Sequence, residues 1–267
     1  MKRLLILFFV FLLLCSVSLG ANDFSGDGNC VALWRFEDGA LTADSIGGNT
    51  LTNNNGVTAD AVNYREGAAA GDFEMNSSQY MSIADADLDA GFPLKNGDAN
   101  KKISVCCWFR PESHGSGRYL FTKYNTNTGE RSLLIEVYGT DIRVYIGYNG
   151  GAGAEALTIL NLNTVATQWY HIGFTFQDSD KSYRIRCWDE TGSSVVEVTG
   201  NSTNNINVES AAVAIGAVAN PAGYFDGIID RMVVFNDILT AGEIDQIHEG
   251  TYGAAEHRGQ VIIIDEN

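Results

Sequence analysis

Ile103-Ser104-Val105-Cys106-Cys107-Trp108-Phe109 sets Ile103, Val105, Cys107 and Phe109 on one face of an extended strand, because successive side chains of a strand point to opposite sides. The same short alternation returns at Leu133–Val137, Ile142–Ile146, Tyr170–Phe176, Tyr183–Trp188 and Ile228–Phe235. Polar turn clusters separate these runs: Asn125–Gly129, Asn149-Gly150-Gly151, Asp178-Ser179-Asp180 and Asp189–Gly192. Many short strands with regular turns predict an all-β sandwich or barrel. One segment breaks the rhythm. Thr240 stands as a cap before Ala241-Gly242, Glu243 follows at the third position, and Ile244 and Ile247 are three apart, which predicts one short C-terminal helix.

The chain starts Met1-Lys2-Arg3, runs apolar from Leu4 to Cys15, and continues Ser16-Val17-Ser18-Leu19-Gly20. A basic start, a short apolar stretch and small residues before the cut predict a secretory signal peptide over residues 1–20, cleaved after Gly20. The apolar run is short for a bilayer span. A secreted, extracellular chain with no membrane insertion after cleavage is therefore expected, with an uncleaved anchor as the alternative. Residues 21–253 then suit one β domain, and residues 254–267 a tail or edge strand built on Val261–Ile264. The net charge is −16, two more negative once Lys2 and Arg3 are gone. That excludes nucleic acid and anionic membranes as expected partners, since phosphate contacts need Lys and Arg patches. Cys30, Cys106, Cys107 and Cys187 survive processing. Export permits disulfides, four cysteines allow three pairings, and buried thiols are an equal alternative. No Cys/His spacing suggests zinc.

Three blocks carry a family pattern. The first is Ala32-Leu33-Trp34-Arg35-Phe36-Glu37-Asp38-Gly39 with Asp44-Ser45-Ile46-Gly47-Gly48-Asn49. The second is Ile103 to Pro111 with Gln168-Trp169-Tyr170-His171-Ile172-Gly173. The third is Phe225-Asp226-Gly227-Ile228-Ile229-Asp230-Arg231-Met232-Val233-Val234-Phe235-Asn236, then Leu239-Thr240 and Glu243-Ile244. In this order, from about Cys30 to Tyr252, they resemble the laminin-G-like domains of the concanavalin-A-like lectin/glucanase superfamily. The resemblance implies a two-sheet antiparallel jelly-roll sandwich of roughly six or seven strands per sheet. It leaves function open, because this fold hosts lectins, adhesion modules, pentraxins and glycosidases.

Glycanases of this fold set two glutamates and an aspartate on alternate residues of one strand. The nearest match, Glu243-Ile244-Asp245-Gln246-Ile247-His248-Glu249, falls in the predicted helix. There Glu243 and Asp245 point about 200° apart and cannot converge on one bond. Gln246-Ile247-His248 is similar to an alginate-lyase signature, but the partner strands of that signature are missing, and His248 reads as a residue meeting the helix C-terminal dipole. His171 has no nucleophile motif beside it, and the family carries a His here as a structural feature. No enzyme activity is expected.

Calcium is the expected cofactor. The resemblance implies a structural ion where the first strand's end meets the last, with Asp38, Asp44 and Asp230 as ligands; ordinary Asp turn chemistry is the alternative. For glycan binding, Trp108 and Trp188 point away from the strand residues read as core, and Tyr145 and Tyr148 flank a turn, as do Tyr119 and Tyr124. Trp34 and Trp169 are assigned to the core. The expected function is a secreted, non-catalytic recognition module for a carbohydrate or an extracellular protein. Two alternatives stand beside it: a structural, self-assembling cell-surface domain, and a glycoside hydrolase or polysaccharide lyase with a non-standard site. The last would show two carboxylates side by side on the concave sheet, about 5–9 Å apart.

Overall fold

The computed structural model describes residues 21–191 and 193–253. The signal peptide of residues 1–20 and the tail of residues 254–267, with its Val261–Ile264 run, lie outside the described residues. The first strands are β1 (Cys30–Trp34), β2 (Thr52–Asn54), β3 (Thr58–Asp60), β4 (Ala70–Phe73) and β5 (Tyr80–Ile83). Then come β6 (Lys102–Pro111), β7 (Gly115–Tyr124), β8 (Arg131–Gly139), β9 (Asp141–Tyr148) and β10 (Gly153–Leu160). Last are β11 (Tyr170–Gln177), β12 (Ser182–Asp189), β13 (Ser194–Asn201), β14 (Val213–Ile215) and β15 (Gly227–Phe235), followed by helix α1 (Ala241–Glu249).

They form two antiparallel sheets. The first runs β13-β12-β11-β6-β15-β4-β3, and the second β10-β9-β8-β7-β14-β5-β2. The first gains an eighth strand because β15 shares one edge: Gly227–Ile229 pair with β4 and Met232–Phe235 with β1. Strand alternation delivers the core between the sheets. Ile103, Val105, Cys107 and Phe109 of β6 and Tyr170, Ile172, Phe174 and Phe176 of β11 share one cluster with Leu133, Ile135 and Val137 of β8 and Ile142, Val144 and Ile146 of β9. Burying each such side chain is worth about 1.5–3 kcal/mol. Trp34 belongs to this core, and its indole N–H donates to the Asn49 carbonyl at 2.7 Å.

A third layer lies outside the first sheet. Cys106, Val233 and Phe235 point away from the main core and meet Phe24, Ile244, Ile247 and Tyr252. The helix forms where its caps predict: the Thr240 hydroxyl accepts from the Glu243 N–H at 3.2 Å, the Glu243 carboxylate accepts from the Thr240 N–H at 2.7 Å, and Gly250 closes the end at φ 75°. Gly173 makes the close approach possible, since a Cβ there would come within 2.4 Å of Ile244 Cγ2. Asp245 pins the helix down: its two carboxylate oxygens accept from Arg186 Nε and Nη2, each at 2.7 Å, and one also accepts from Trp188 Nε1 at 2.9 Å. Glu243 and Asp245 are thus a cap and an anchor.

All four described cysteines are buried free thiols. Cys107 faces the main core and Cys106 the outer layer, the opposed placement that adjacent strand residues require. Among the described residues no helix is long and apolar enough to cross a membrane.

Candidate functional site

The outer face of the first sheet carries a row of chemistry. Cross-strand register aligns Asp230 on β15 with Trp108 on β6, Trp108 with His171 on β11, and His171 with Trp188 on β12. A bulge interrupts β15 between Asp230 and Val233, and Arg231 sits at φ 43° within it. An extra residue breaks the alternation, so Asp230 and Arg231 both turn toward the outer layer. Asp230 Oδ2 accepts from the backbone N–H groups of Arg65 and Glu66 at 2.6 and 3.0 Å. Arg231 pairs with Glu66 and donates from Nη2 to the Ile247 carbonyl at 2.7 Å.

Above this row lies a pocket of about 290 Å³ lined by Arg65, Glu66, Trp108, Arg231, His248 and Glu249, among others. Burial dominates its electrostatics. It pushes the Asp230 carboxyl up to about 8, against the pull of the Arg65 and Arg231 backbone N–H groups, and lowers the Arg231 guanidinium to about 9. It holds His171 well below the usual imidazole range, so that ring is neutral. Asp230 Oδ1, both His171 nitrogens, Arg231 Nε and His248 Nδ1 are buried without a hydrogen-bond partner. His248 stacks on Trp188 at 4.5 Å and 8°, and its Nε2 is 2.6 Å from Glu190 Oε1. Helix-end placement alone, the role expected for His248, misses this stacking.

The tryptophan expectation needs correcting here. Trp108 and Trp188 do leave the main core, but α1 and the 65–67 segment cover them. Trp108 is 4% exposed, with Arg65 4.4 Å above its ring and His171 and His248 each 5.0 Å away. Trp169, assigned to the core, instead packs half-buried against Trp108, edge-on at 6.5 Å. Alternation names the face a residue takes, not the layer that later covers it.

The proposed calcium ligands do not converge. Asp38 is exposed in a turn. The Asp44 carboxylate accepts from the backbone N–H of Leu33, Ile46 and Asn49 and from Asn49 Nδ2, at 2.9–3.1 Å. That is turn chemistry, the alternative foreseen for it. Asp230 is sealed under the pocket. Asp38, Asp44 and Asp230 do not fit a single calcium ion. Among the described residues, one trio of carboxylates has oxygens all within 4.8 Å of one another, Asp72, Glu74 and Glu112, brought together by the pairing of β4 and β6 with β15. Burial first, then Glu112 and Glu74, pushes Asp72 up to about 6.

The second sheet is different, because no helix covers its outer face. In one row Tyr119 on β7 pairs with Glu136 on β8, which pairs with Arg143 on β9. In the next, Leu134 pairs with half-buried Tyr145. Tyr119 and Tyr145 pack against a small cluster of Tyr124, Leu134 and Val218. Glu136 is 5% exposed, and no described residue makes a hydrogen bond to its carboxyl. Burial pushes that carboxyl up to about 7, with Arg143 pulling the other way. Arg143 lies 3.3 Å over the Tyr138 ring. Tyr148 is committed to the β9–β10 hairpin, where a Cβ on Gly153 would come within 2.4 Å of its ring. Glu136 was missed in the sequence, although a single charge inside Leu133-Leu134-Ile135-Glu136-Val137 was the signal available.

A laminin G family model, described as the concanavalin A-like lectin/glucanases superfamily, matches residues 76–245. The chain belongs to this superfamily. Among solved structures it is similar to domain 4 of AbnA, a GH43 extracellular arabinanase from Geobacillus stearothermophilus, solved with arabinotriose. Identity is 17%, the TM-score is 0.58, and the match covers 82% of this chain and 98% of that one. It is also similar to the binding domain of botulinum neurotoxin serotype D, at 11% identity and TM-score 0.59, over 83% of this chain and 52% of that one. No curated protein matches. The superfamily match spans the Tyr119/Glu136/Arg143 face and most of the outer row, but Arg65, Glu66 and His248 fall outside it.

Proposed function

We propose that this chain is an exported recognition module that binds a carbohydrate, without chemistry, on the open face of its second sheet. One observation carries it: half-buried Tyr119 and Tyr145 pack with buried Tyr124 beside Glu136 and Arg143 on the face that α1 does not reach. Aromatic rings offer the apolar contact a pyranose or furanose needs, and a carboxyl and a guanidinium side by side suit vicinal hydroxyls. The net charge of −16 favours neutral glycans over polyanions. The similar arabinanase domain was solved with arabinotriose; at 17% identity the fold carries over, and the contact residues do not. Against catalysis, the cross-strand neighbours of Glu136 are Tyr119 and Arg143, whereas retaining hydrolysis needs a second carboxylate about 5 Å away. Export rests on the Met1–Gly20 pattern.

A neutral-glycan array followed by titration calorimetry tests this. A bound oligosaccharide should lose at least about tenfold in affinity with Tyr145→Ala, as expected when one stacking or hot-spot contact is removed. Binding to no neutral glycan, or binding untouched by Tyr145→Ala and Glu136→Gln together, overturns it.

A further inference from the structure

The outer pocket has an occupant within reach. Ala21 lines it together with Glu66 and Glu249. The residues after Ala21 are tightly held. Asn22 is 3% exposed, and its Nδ2 donates to the Ile247 carbonyl at 2.9 Å and to Glu66 Oε2 at 3.1 Å. Its Oδ1 accepts from the Tyr252 N–H at 2.8 Å, and the Asp23 N–H donates to the Tyr252 carbonyl at 2.8 Å. Phe24 stacks on Tyr252 at 5.2 Å. This clamp holds the segment next to Ala21, an exposed residue of the pocket lining, and Ala21 is the residue that follows the sequence-predicted cut after Gly20.

One carboxylate of the lining is left for a cation. Arg231 and Arg35 are both committed to Glu66, and Arg65 to Glu190. Glu249, exposed at the end of α1, makes no ion pair with any described residue. An ammonium group brings three donors and one positive charge.

We propose that export processing completes this pocket: the new α-ammonium of Ala21 docks against Glu249 and locks the N-terminal segment to the end of α1. This rests on the export part of the proposed function. Water, delivered by an export peptidase, breaks the Gly20–Ala21 amide. Its hydroxyl ends on the Gly20 carboxyl carbon, and the freed amine of Ala21 takes up a proton. A carboxylate facing that amine favours its charged form, so its nucleophilic fraction at neutral pH falls.

The test uses protein purified from the medium of an exporting host, with intact mass read first. A chain beginning at Ala21 is expected; any other start overturns the proposal, and a retained leader overturns the export reading as well. The α-amine is then acylated at neutral pH and followed by peptide mapping. It should react about tenfold more slowly in the native chain than in the denatured one, the effect of raising its pKa by one. Glu249→Gln, and a chain carrying one extra Gly before Ala21, should both lose that protection, and the extended chain should melt lower. Equal acylation rates in native, extended and E249Q proteins overturn the proposal. Glycan binding measured on the same samples keeps the two ideas apart, since lost protection with intact binding bears on the pocket alone.

Discussion

Glu136→Gln should make the protein more stable at pH 8 and flatten part of its pH dependence. The carboxyl is 5% exposed, between Tyr119 and Arg143, and burial raises it from 4.5 to about 7. Between those values the folded chain keeps a proton that the unfolded chain has released. Stability therefore falls as pH rises through that window and recovers as pH drops below it. Moving a carboxyl that far corresponds to ~3 kcal/mol, and the part of the group that meets water reduces this to ~1–2 kcal/mol. For a domain of this size each kcal/mol shifts the melting temperature by about 2–4 °C. Glu136 alone should then lower the wild-type Tm by about 2–8 °C between pH 5 and pH 8. Asp72, raised to about 6, and Asp230, raised to about 8, push in the same direction, so the quantity to read is E136Q minus wild type at each pH. The Gln variant should match the wild type at pH 5 and exceed it at pH 8. A difference that is equal at the two pH values, or an E136Q protein less stable at pH 8, refutes the reasoning.

Gly173→Ala should cost about 1–3 kcal/mol by overpacking, because its Cβ meets Ile244 at 2.4 Å; adding Ile244→Val should recover part of that loss in urea melts, and additive losses would show that the contact is not the cause. Asp245→Ala removes three hydrogen bonds from Arg186 and Trp188 and should cost roughly 1–2 kcal/mol for a partly exposed charged pair. Its Trp emission should shift to the red, and an unchanged spectrum would mean the helix stays docked without its anchor. The four buried thiols should resist a thiol reagent in the native chain and react fully in guanidinium; fewer than four reactive thiols on unfolding would reveal a bridge.

What could be read in advance follows from how local each signal is. Ile103, Val105, Cys107 and Phe109 share the main core because alternation depends only on the strand itself, and α1 starts at its Thr240–Glu243 box because a cap is a four-residue event. The bulge at Arg231 gave no such sign: its φ of 43° falls on a non-glycine residue in mid-strand. Asp72 and Glu112 belong to different strands, and only the pairing of β4 and β6 with β15 brings them together. For the same reason Asp38, Asp44 and Asp230 looked like one site in sequence and occupy three settings in space.

The helix with the acidic run decides how much of the first sheet's outer face stays accessible. Asp245 holds α1 against Arg186, and Ile244 and Ile247 seal the outer face of the first sheet over Cys106, Val233 and Phe235. Trp108 thereby loses the solvent face that its strand position would have given it, and Trp188 keeps only part of its own. On the second sheet, which α1 does not reach, Tyr119, Arg143 and Tyr145 stay half-exposed beside the buried Glu136. The proposed recognition surface therefore uses this group rather than the tryptophans. The point is separable by experiment: Trp188→Ala should weaken α1 docking and leave glycan affinity within about twofold, whereas Tyr145→Ala should do the reverse.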